Sequence, residues 1–201
     1  MMRVVVAEDM CIVRAALIAL LKLESDIQVV GDASSGEDII RLCRILQPDV
    51  AIIDIGLPGI DGISVAASLG SELPSVCTLL LTGMARPGTL RKALEAQVDG
   101  IVMKDAQPGE LVSAIRAVSA GRRYIDSHLS YLAWESWDCP LTGRELEALR
   151  AVSHGLGVEE IADLLRLTTG TVRNYLTSVV SKLNARNRID AIRIAREAGW
   201  L

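Results

Sequence analysis

The sequence predicts an α/β domain, built on a doubly wound five-stranded parallel sheet, followed by a smaller all-α domain of four helices. Five short apolar segments alternate with helical patterns over the first 120 residues. Strands and helices that alternate in this way form parallel sheets covered on both faces. From residue 139 onward every pattern has helical periodicity. A length of 201 residues accommodates two domains of these sizes.

Each strand of the first domain is a short run rich in aliphatic residues. The predicted strands are Arg3–Ala7, Gln28–Asp32, Val50–Ile53, Thr78–Leu81 and Ile101–Met103. The predicted helices lie near residues 11–23, 36–46, 62–70, 88–96 and 108–120. Because each connection is long enough for a right-handed crossover through a helix, we assign residues 1–120 to one domain.

The segment 121–138 interrupts this alternation, and we interpret it as a linker with a short helix near 127–134. Residues 139–201 then form the second domain. Thr142 and Glu145 make a capping box that opens its first helix. The predicted helices of this domain cover 143–153, 158–165, about 171–184 and about 188–198.

The two parts of the chain differ in charge. Residues 1–138 contain 12 Lys and Arg against 18 Asp and Glu, a net charge of −6, whereas residues 139–201 contain 9 and 7, a net charge of +2. This asymmetry predicts a cation or phosphoryl site in the N-terminal part and a polyanion partner for the C-terminal part. The four cysteines are widely spaced, which argues against a disulfide framework. Because no apolar run reaches membrane-spanning length, we expect a cytoplasmic protein without a membrane partner.

Chemically distinctive residues follow four of the predicted strands. Glu8 and Asp9 follow the first strand, Asp54 the third, Thr82 the fourth and Lys104 the fifth. The carboxyl ends of parallel strands lie at one edge of a sheet, so we expect these side chains to converge. Three neighbouring carboxylates need a cation to remain ionised together, and oxygen ligands suit Mg²⁺.

This convergence indicates phosphoryl chemistry. Asp54 can act as a nucleophile toward a phosphoryl group, while Lys104 and the metal neutralise the phosphoryl oxygens. Thr82 can hydrogen-bond a new phosphoryl oxygen and draw its loop inward. Taken singly, each residue has an ordinary interpretation: a turn aspartate, a solvated lysine, or a helix cap in the case of Glu8–Asp9. Their occurrence in order on successive strands favours the phosphoryl site.

The second domain contains a short helix, a tight turn and a basic helix, which is the spacing of a helix-turn-helix. Arg and Asn can read base edges through paired hydrogen bonds, whereas Thr, Ser and Lys suit phosphates. A solvated amphipathic helix is the alternative when this pattern is taken alone. The polar face of the basic helix consists of Thr171, Arg173, Asn174, Thr177, Ser178 and Lys182.

The first domain resembles the receiver domain of response regulators, which has a CheY-like fold. The resemblance covers about residues 2–120 and rests on the segments VVVAEDM, DVAIIDIGLPGIDG, LLLTG and GIVMKD. It implies that Asp54 is the phosphoacceptor, Thr82 the switch hydroxyl and Lys104 the phosphate-pairing lysine. The Mg²⁺ ligands that it implies are Glu8, Asp9, Asp54 and the backbone carbonyl of Gly56.

The second domain resembles the LuxR/NarL-type DNA-binding domain across about residues 139–201. The segment that carries the resemblance is LTGRELEALRAVSHGLGVEEIADLLRLTTGTVRNYLTSVVSKLNARNRIDAIRIA. It implies that TVRNYLTSVVSKL is the recognition helix and that the helix over 188–198 pairs two such domains on DNA. The implied base contacts are Arg173, Asn174 and Thr177, and the implied backbone contacts are Thr171 and Lys182.

Two positions depart from the family patterns. Ile101 stands three residues before Lys104, where receivers often carry a Tyr or Phe that turns inward on activation. We therefore expect the signal to leave through the loop 83–88. Tyr175 replaces a common His of the recognition helix, so the half-site preference of relatives does not transfer.

The first helix, near 11–23, is apolar on almost every side. Val13 and Leu17 belong to the face that suits the sheet, and Cys11, Ala15 and Ile18 form a second face. That second face is either simply well covered or a surface for a sensor kinase or a second receiver.

These features predict a phosphorylation-activated transcriptional regulator of the NarL/FixJ class. In this hypothesis a sensor histidine kinase phosphorylates Asp54, the receiver forms a homodimer, and paired helix-turn-helix domains bind an inverted repeat of double-stranded DNA. The details ARPG, GTVRNY and NRIDA resemble regulators of membrane-lipid desaturation. We do not expect an enzyme. The residues leave two alternatives: a Mg²⁺-dependent phosphohydrolase working through Asp54, and a constitutive DNA binder whose receiver does not switch.

Overall fold

The computed structural model describes residues 1–84, 87–126, 129 and 139–201. The chain divides into two compact units, an N-terminal unit built on a sheet and a C-terminal helical unit. The predicted linker helix near 127–134 lies outside the described residues, apart from residue 129. None of the described helices is long and apolar enough to cross a membrane.

The first unit contains a parallel sheet. Its strands are β1 (Met2–Ala7), β2 (Ile27–Ala33), β3 (Val50–Asp54), β4 (Cys77–Thr82), β5 (Gly100–Met103) and β6 (Tyr124–Ile125). Their order is β2-β1-β3-β4-β5-β6, and all neighbouring strands are parallel. The five predicted strands are confirmed, each end within one residue of the prediction. From β1 the strand order runs to β2 on one side and through β3 to β6 on the other. Ligands of such folds bind between β1 and β3, where the order reverses.

The sixth strand was not predicted, and it lies inside the segment 121–138 that the sequence assigns to the linker. It is two residues long, so it carries no periodicity for a sequence pattern to reveal. Pairing with β5 creates it, since Gly100 and Ile101 are opposite Tyr124 and Ile125.

In the described part of the chain, one helix follows each of the strands β1 to β5. These helices are α1 (Cys11–Leu21), α2 (Gly36–Leu46), α3 (Gly62–Glu72), α4 (Pro87–Glu95) and α5 (Pro108–Ser119). The core is aliphatic, because the sequence contains no Phe. Strand residues such as Val6, Ile52 and Leu79 are fully buried there with Ile115 of α5.

Residues 139–201, the described C-terminal part of the second unit, form four helices, as predicted. They are α6 (Gly143–Ser153), α7 (Val158–Leu165), α8 (Thr169–Lys182) and α9 (Arg188–Glu197). Helix α8 begins two residues before the predicted start, because the side chain of Thr168 caps it by accepting a hydrogen bond from the amide of Thr171. Two apolar clusters hold the helices together, one around Leu149 and Val179 and the other around Ile161 and Val172.

Candidate functional site

Three carboxylates meet at the carboxyl edge of the sheet. Glu8 and Asp9 leave β1, and Asp54 ends the neighbouring strand β3. One oxygen from each of the three side chains lies within 4.8 Å of the others. Glu8 is fully buried, Asp54 is 5% exposed and Asp9 faces solvent. The structure therefore brings the predicted acidic residues together in a site that opens to solvent on the side of Asp9.

Lys104 joins this group from the end of β5. Its ammonium nitrogen lies 2.7 Å from Oε2 of Glu8 and 3.0 Å from Oδ2 of Asp54. The backbone amide of Lys104 donates to the carbonyl of Thr82 at 2.8 Å, which fixes the lysine beside β4. Burial lowers the pKa of Lys104, but the bonds to Glu8 and Asp54 outweigh it and the pKa is raised overall. Lys104 is thus a permanent counter-charge for two buried carboxylates.

Thr82 ends β4 at the same edge and is 7% exposed. Its hydroxyl donates to the carbonyl of Met84 at 2.8 Å, and the amide of Met84 donates back to the hydroxyl at 3.3 Å. The hydroxyl is therefore engaged with its own loop. Residues 85 and 86, in the middle of the predicted coupling loop 83–88, lie outside the described residues.

The loop after Asp54 passes close to the Asp54 carboxylate. A Cβ atom added to Gly56 would lie 3.3 Å from Oδ2 of Asp54. A Cβ atom added to Gly62 would lie 2.2 Å from the carbonyl oxygen of Asp54, which is too close for any side chain. The two glycines therefore allow the backbone to fold tightly around Asp54.

Arg14, which the sequence places only at the rim of the second face of the first helix, also lies at this site. Its guanidinium donates to the carbonyl of Glu8 at 2.5 Å and to Oδ2 of Asp32 at 3.0 Å. The side chain is 18% exposed and so lies mostly beneath the surface. It ties α1 and β2 to the backbone that carries Glu8 and Asp9. The signal available in the sequence was a single Arg inside the otherwise apolar run of α1.

The recognition helix predicted from the sequence corresponds to α8. Val172, Leu176 and Val179 are buried on one side of it, while Arg173 and Asn174 are exposed. Within the described part of the chain, the side chains of Arg173 and Asn174 take part in no hydrogen bond or ion pair. Both are therefore available to an external partner. Thr177 is also exposed, and its hydroxyl donates to the carbonyl of Arg173.

The two residues predicted to contact the DNA backbone are engaged within the domain. The Thr171 hydroxyl lies 2.9 Å from the hydroxyl of Thr168 at the start of α8. The Lys182 ammonium lies 2.7 Å from Oε2 of Glu145 in α6. Their predicted contacts with DNA stay predictions.

Arg166 is a further candidate that the sequence analysis did not single out as a site residue. It is exposed and lies in the turn between α7 and α8 with a left-handed backbone, φ 54°. Gly or Asn is the usual residue in this conformation. The turn of the helix-turn-helix therefore carries an exposed positive charge.

Comparison with known proteins assigns both halves of the chain to families. Residues 4–116 match the response regulator receiver domain, and residues 139–195 match the bacterial regulatory proteins of the luxR family. The transcriptional regulatory protein DesR of Bacillus subtilis (strain 168) is 39% identical over 200 residues, covering 100% of this chain and 99% of that protein. The response regulator UvrY of Escherichia coli (strain K12) is 33% identical, covering 99% and 95%.

Solved structures give the same result. The two-component response regulator RcsB in complex with DNA superposes with a TM-score of 0.75 at 29% identity and covers 98% of both chains. A structure of RcsB from Salmonella typhimurium superposes with a TM-score of 0.79 at 28% identity. The acidic edge, the helix-turn-helix and these end-to-end matches lead to one conclusion: this chain belongs to the two-component response regulators of the NarL/FixJ class, transcriptional regulators that join a receiver to a LuxR-type DNA-binding domain.

Proposed function

We propose that Asp54 accepts a phosphoryl group from a sensor histidine kinase and that this modification activates DNA binding. The observation that carries the proposal is the convergence of Glu8, Asp9, Asp54 and Lys104 at one sheet edge. Transfer forms a bond between an Asp54 carboxylate oxygen and phosphorus, and breaks the bond between phosphorus and the kinase histidine. Asp54 is 5% exposed, so the donor must reach it along the open side of the site next to Asp9.

The residues present fit a magnesium ion. Three carboxylates face one ammonium, which leaves a charge of −2 for a divalent cation to neutralise. Asp9 and Asp54 would bind the metal directly, Glu8 through water and Gly56 through its backbone carbonyl. These are the hard oxygen donors that Mg²⁺ prefers. When bound, the metal supplies charge neutralisation for the phosphoryl oxygens.

Thr82 would carry the switch. In the described structure its hydroxyl donates to the carbonyl of Met84. A phosphoryl oxygen on Asp54 is a stronger acceptor than a carbonyl, because it is charged. Thr82 would therefore leave Met84 and turn toward Asp54, releasing the loop that follows. Ile101 is 1% exposed and has no polar tip, so the loop itself transmits the change.

Helix α8 would read DNA. Arg173 and Asn174 are exposed and uncommitted, which suits paired hydrogen bonds to base edges, and Thr177 lies on the same face. Two copies would bind an inverted repeat, with half-sites roughly one helical turn apart. Helix α9 would pair the copies, and the observation in favour is that Ile189 is 80% exposed on it. Because the DNA partner is cytoplasmic, the proposal places the protein in that compartment.

Helix α1 offers a surface for the kinase or for a second receiver. Ile12 is 84% exposed, and an apolar cavity of about 240 Å³ lies between α1 and α5. Ile18, which the sequence places on the second face of this helix, is partly buried against the receiver core, so Ile18→Glu would also disturb the fold. Ile12→Glu is the better test. We expect slower phosphotransfer or weaker dimerisation with unchanged stability, and equal rates and equal mass would remove the idea.

The deciding experiment measures DNA binding and mass by light scattering, with and without beryllofluoride and Mg²⁺. The duplex is selected from a random-sequence pool by the wild-type protein. We expect dimerisation and tighter binding with beryllofluoride, and neither response in Asp54→Ala. A binding constant that ignores beryllofluoride would favour the constitutive DNA binder. Turnover of p-nitrophenyl phosphate that depends on Asp54 would favour the phosphohydrolase.

A further inference from the structure

One carboxylate in the second unit joins two helices. Glu145 in α6 is 5% exposed, and its oxygens accept four hydrogen bonds. The amide and hydroxyl of Thr142 donate at 2.7 and 3.0 Å. The hydroxyl of Ser178 donates at 2.6 Å and the ammonium of Lys182 at 2.7 Å, both from α8. Glu145 therefore caps its own helix and holds the recognition helix at the same time.

Capping alone does not require this arrangement. Glu110 and Glu160 occupy the same position in α5 and α7, where each accepts from the first residue of its capping box at 3.2 and 2.7 Å. Both of these glutamates are exposed. Glu145 differs because it is buried and shared with a second helix. Burying a carboxylate is costly unless its oxygens are paired, so Ser178 and Lys182 are needed where they are.

The positions of the two anchors matter for the orientation of α8. Ser178 and Lys182 are four residues apart, so they lie one above the other on a single side of the helix. With about 100° between successive residues, this side is about a third of a turn from the buried apolar side and about a third from Arg173 and Asn174. The apolar contacts are non-directional, whereas two hydrogen bonds at different heights fix rotation about the helix axis.

We infer that Glu145 is a positioning residue of the DNA interface, and that Ser178 and Lys182 are its anchors rather than contacts to the DNA backbone. The inference rests on the proposed DNA-binding function and replaces the role predicted for Lys182 from the sequence. The Lys182 ammonium is held at 2.7 Å by Glu145, and the buried carboxylate opposes any shift of the ammonium away from it toward a phosphate. The rotation set by Glu145 determines whether Arg173 and Asn174 meet base edges.

The test compares binding of the full-length protein to the selected duplex and to a shuffled duplex of equal length, in beryllofluoride and Mg²⁺. The variants are Glu145→Gln, Lys182→Met and the double variant, with Glu160→Gln as the matched capping control. Each single variant should lower the affinity for the selected duplex about tenfold, and the affinity for the shuffled duplex less than about twofold. The double variant should bind the selected duplex at least as tightly as the single variant with the lower affinity. Glu160→Gln should keep the wild-type ratio of the two affinities.

The salt dependence separates positioning from contact. The slope of log affinity against log salt concentration should be unchanged in Lys182→Met, because no phosphate contact is lost. A slope reduced by about 0.9, with equal losses on both duplexes, would make Lys182 a phosphate contact and overturn the inference. The inference would also be overturned if the two single-variant losses of affinity multiply in the double variant.

Ser178→Ala keeps the test decisive if the charged variants fold poorly. It removes one anchor and leaves the Glu145–Lys182 ion pair, and it should lower the ratio of the selected to the shuffled affinity. An unchanged ratio would overturn the inference. Wild-type protein that selects no duplex with or without beryllofluoride would instead refute the proposed function.

Discussion

At the scale of single residues, Lys104 is the cation that pairs with the buried carboxylates of the acidic edge among the described residues. Glu8 is fully buried, and Oε2 of Glu8 has Lys104 as its ion-pair partner at 2.7 Å. The other oxygen accepts only from the amide of Met10, at 3.3 Å, among the described residues. Lys104 is 24% exposed, so water screens the pair only in part. The same lysine that would meet a phosphoryl group therefore also stabilises the unphosphorylated receiver.

Lys104→Met should destabilise the receiver by about 3–5 kcal/mol, because it leaves buried carboxylates without a counter-charge. Urea unfolding in EDTA measures this loss. Mg²⁺ should restore part of the stability, since a ligand that binds only the folded state stabilises it. Lys22→Met removes an exposed lysine and serves as the control. Equal unfolding midpoints for Lys104→Met and wild type in EDTA would contradict the prediction.

The sequence revealed residues whose chemistry is fixed by local position. Asp54 and Lys104 were found because strand ends in a parallel sheet share an edge. The roles of Arg14 and Glu145 were not found, because they depend on partners distant along the chain: Arg14 binds Asp32, and Glu145 binds Lys182, 37 residues away. Capping predicted the local half of the Glu145 contacts and could not predict the other half.

At the scale of elements, α3 contains two glycines in opposite situations. Gly62 begins the helix against the carbonyl of Asp54, 2.2 Å from the place of an added Cβ, whereas Gly70 has no atom within 4 Å of its added Cβ. Gly62→Ala should destabilise the receiver by about 1–3 kcal/mol through this clash, and should slow phosphorylation of Asp54. Gly70→Ala should stabilise it by about 0.5–1 kcal/mol, because alanine favours the helix. Urea unfolding of both variants measures the two changes in stability. Equal changes would show that the start of α3 shifts to accommodate the added Cβ atom.

Glu145 makes the attachment of α8 to α6 sensitive to acid. Burial raises its pKa, but the bonds from Lys182, Ser178 and Thr142 outweigh burial and bring the pKa to about 2, from a usual value of 4.5. A carboxyl with a lower pKa in the folded state stabilises that state above its usual pKa, and loses the effect as pH falls. The second domain should therefore lose stability between about pH 4.5 and pH 2. Urea unfolding across this range should show a weaker pH dependence in Glu145→Gln, and an unchanged one would contradict the assignment.

At the scale of the whole molecule, the two units have separate apolar cores, one on the sheet and others among α6–α9. We therefore expect two transitions in scanning calorimetry. Beryllofluoride with Mg²⁺ should raise the midpoint temperature of the receiver transition and leave the other transition in place. At a ligand concentration a hundred times the dissociation constant, the receiver should gain about 2.7 kcal/mol of stability. Asp54→Ala should abolish the shift. A single transition that moves as a whole would contradict the separation.

The short strand β6 determines where the receiver can be joined to a different output domain in a chimeric regulator. The amide of Tyr124 donates to the carbonyl of Asp99 at 2.9 Å, so β6 covers the edge of β5. A chimera joined at residue 120 would remove that cover and expose an unpaired edge, which promotes aggregation. A junction after Asp126 keeps β6 on the sheet. We therefore expect the transferable receiver to end at residue 126, six residues later than the alternation of strands and helices indicates.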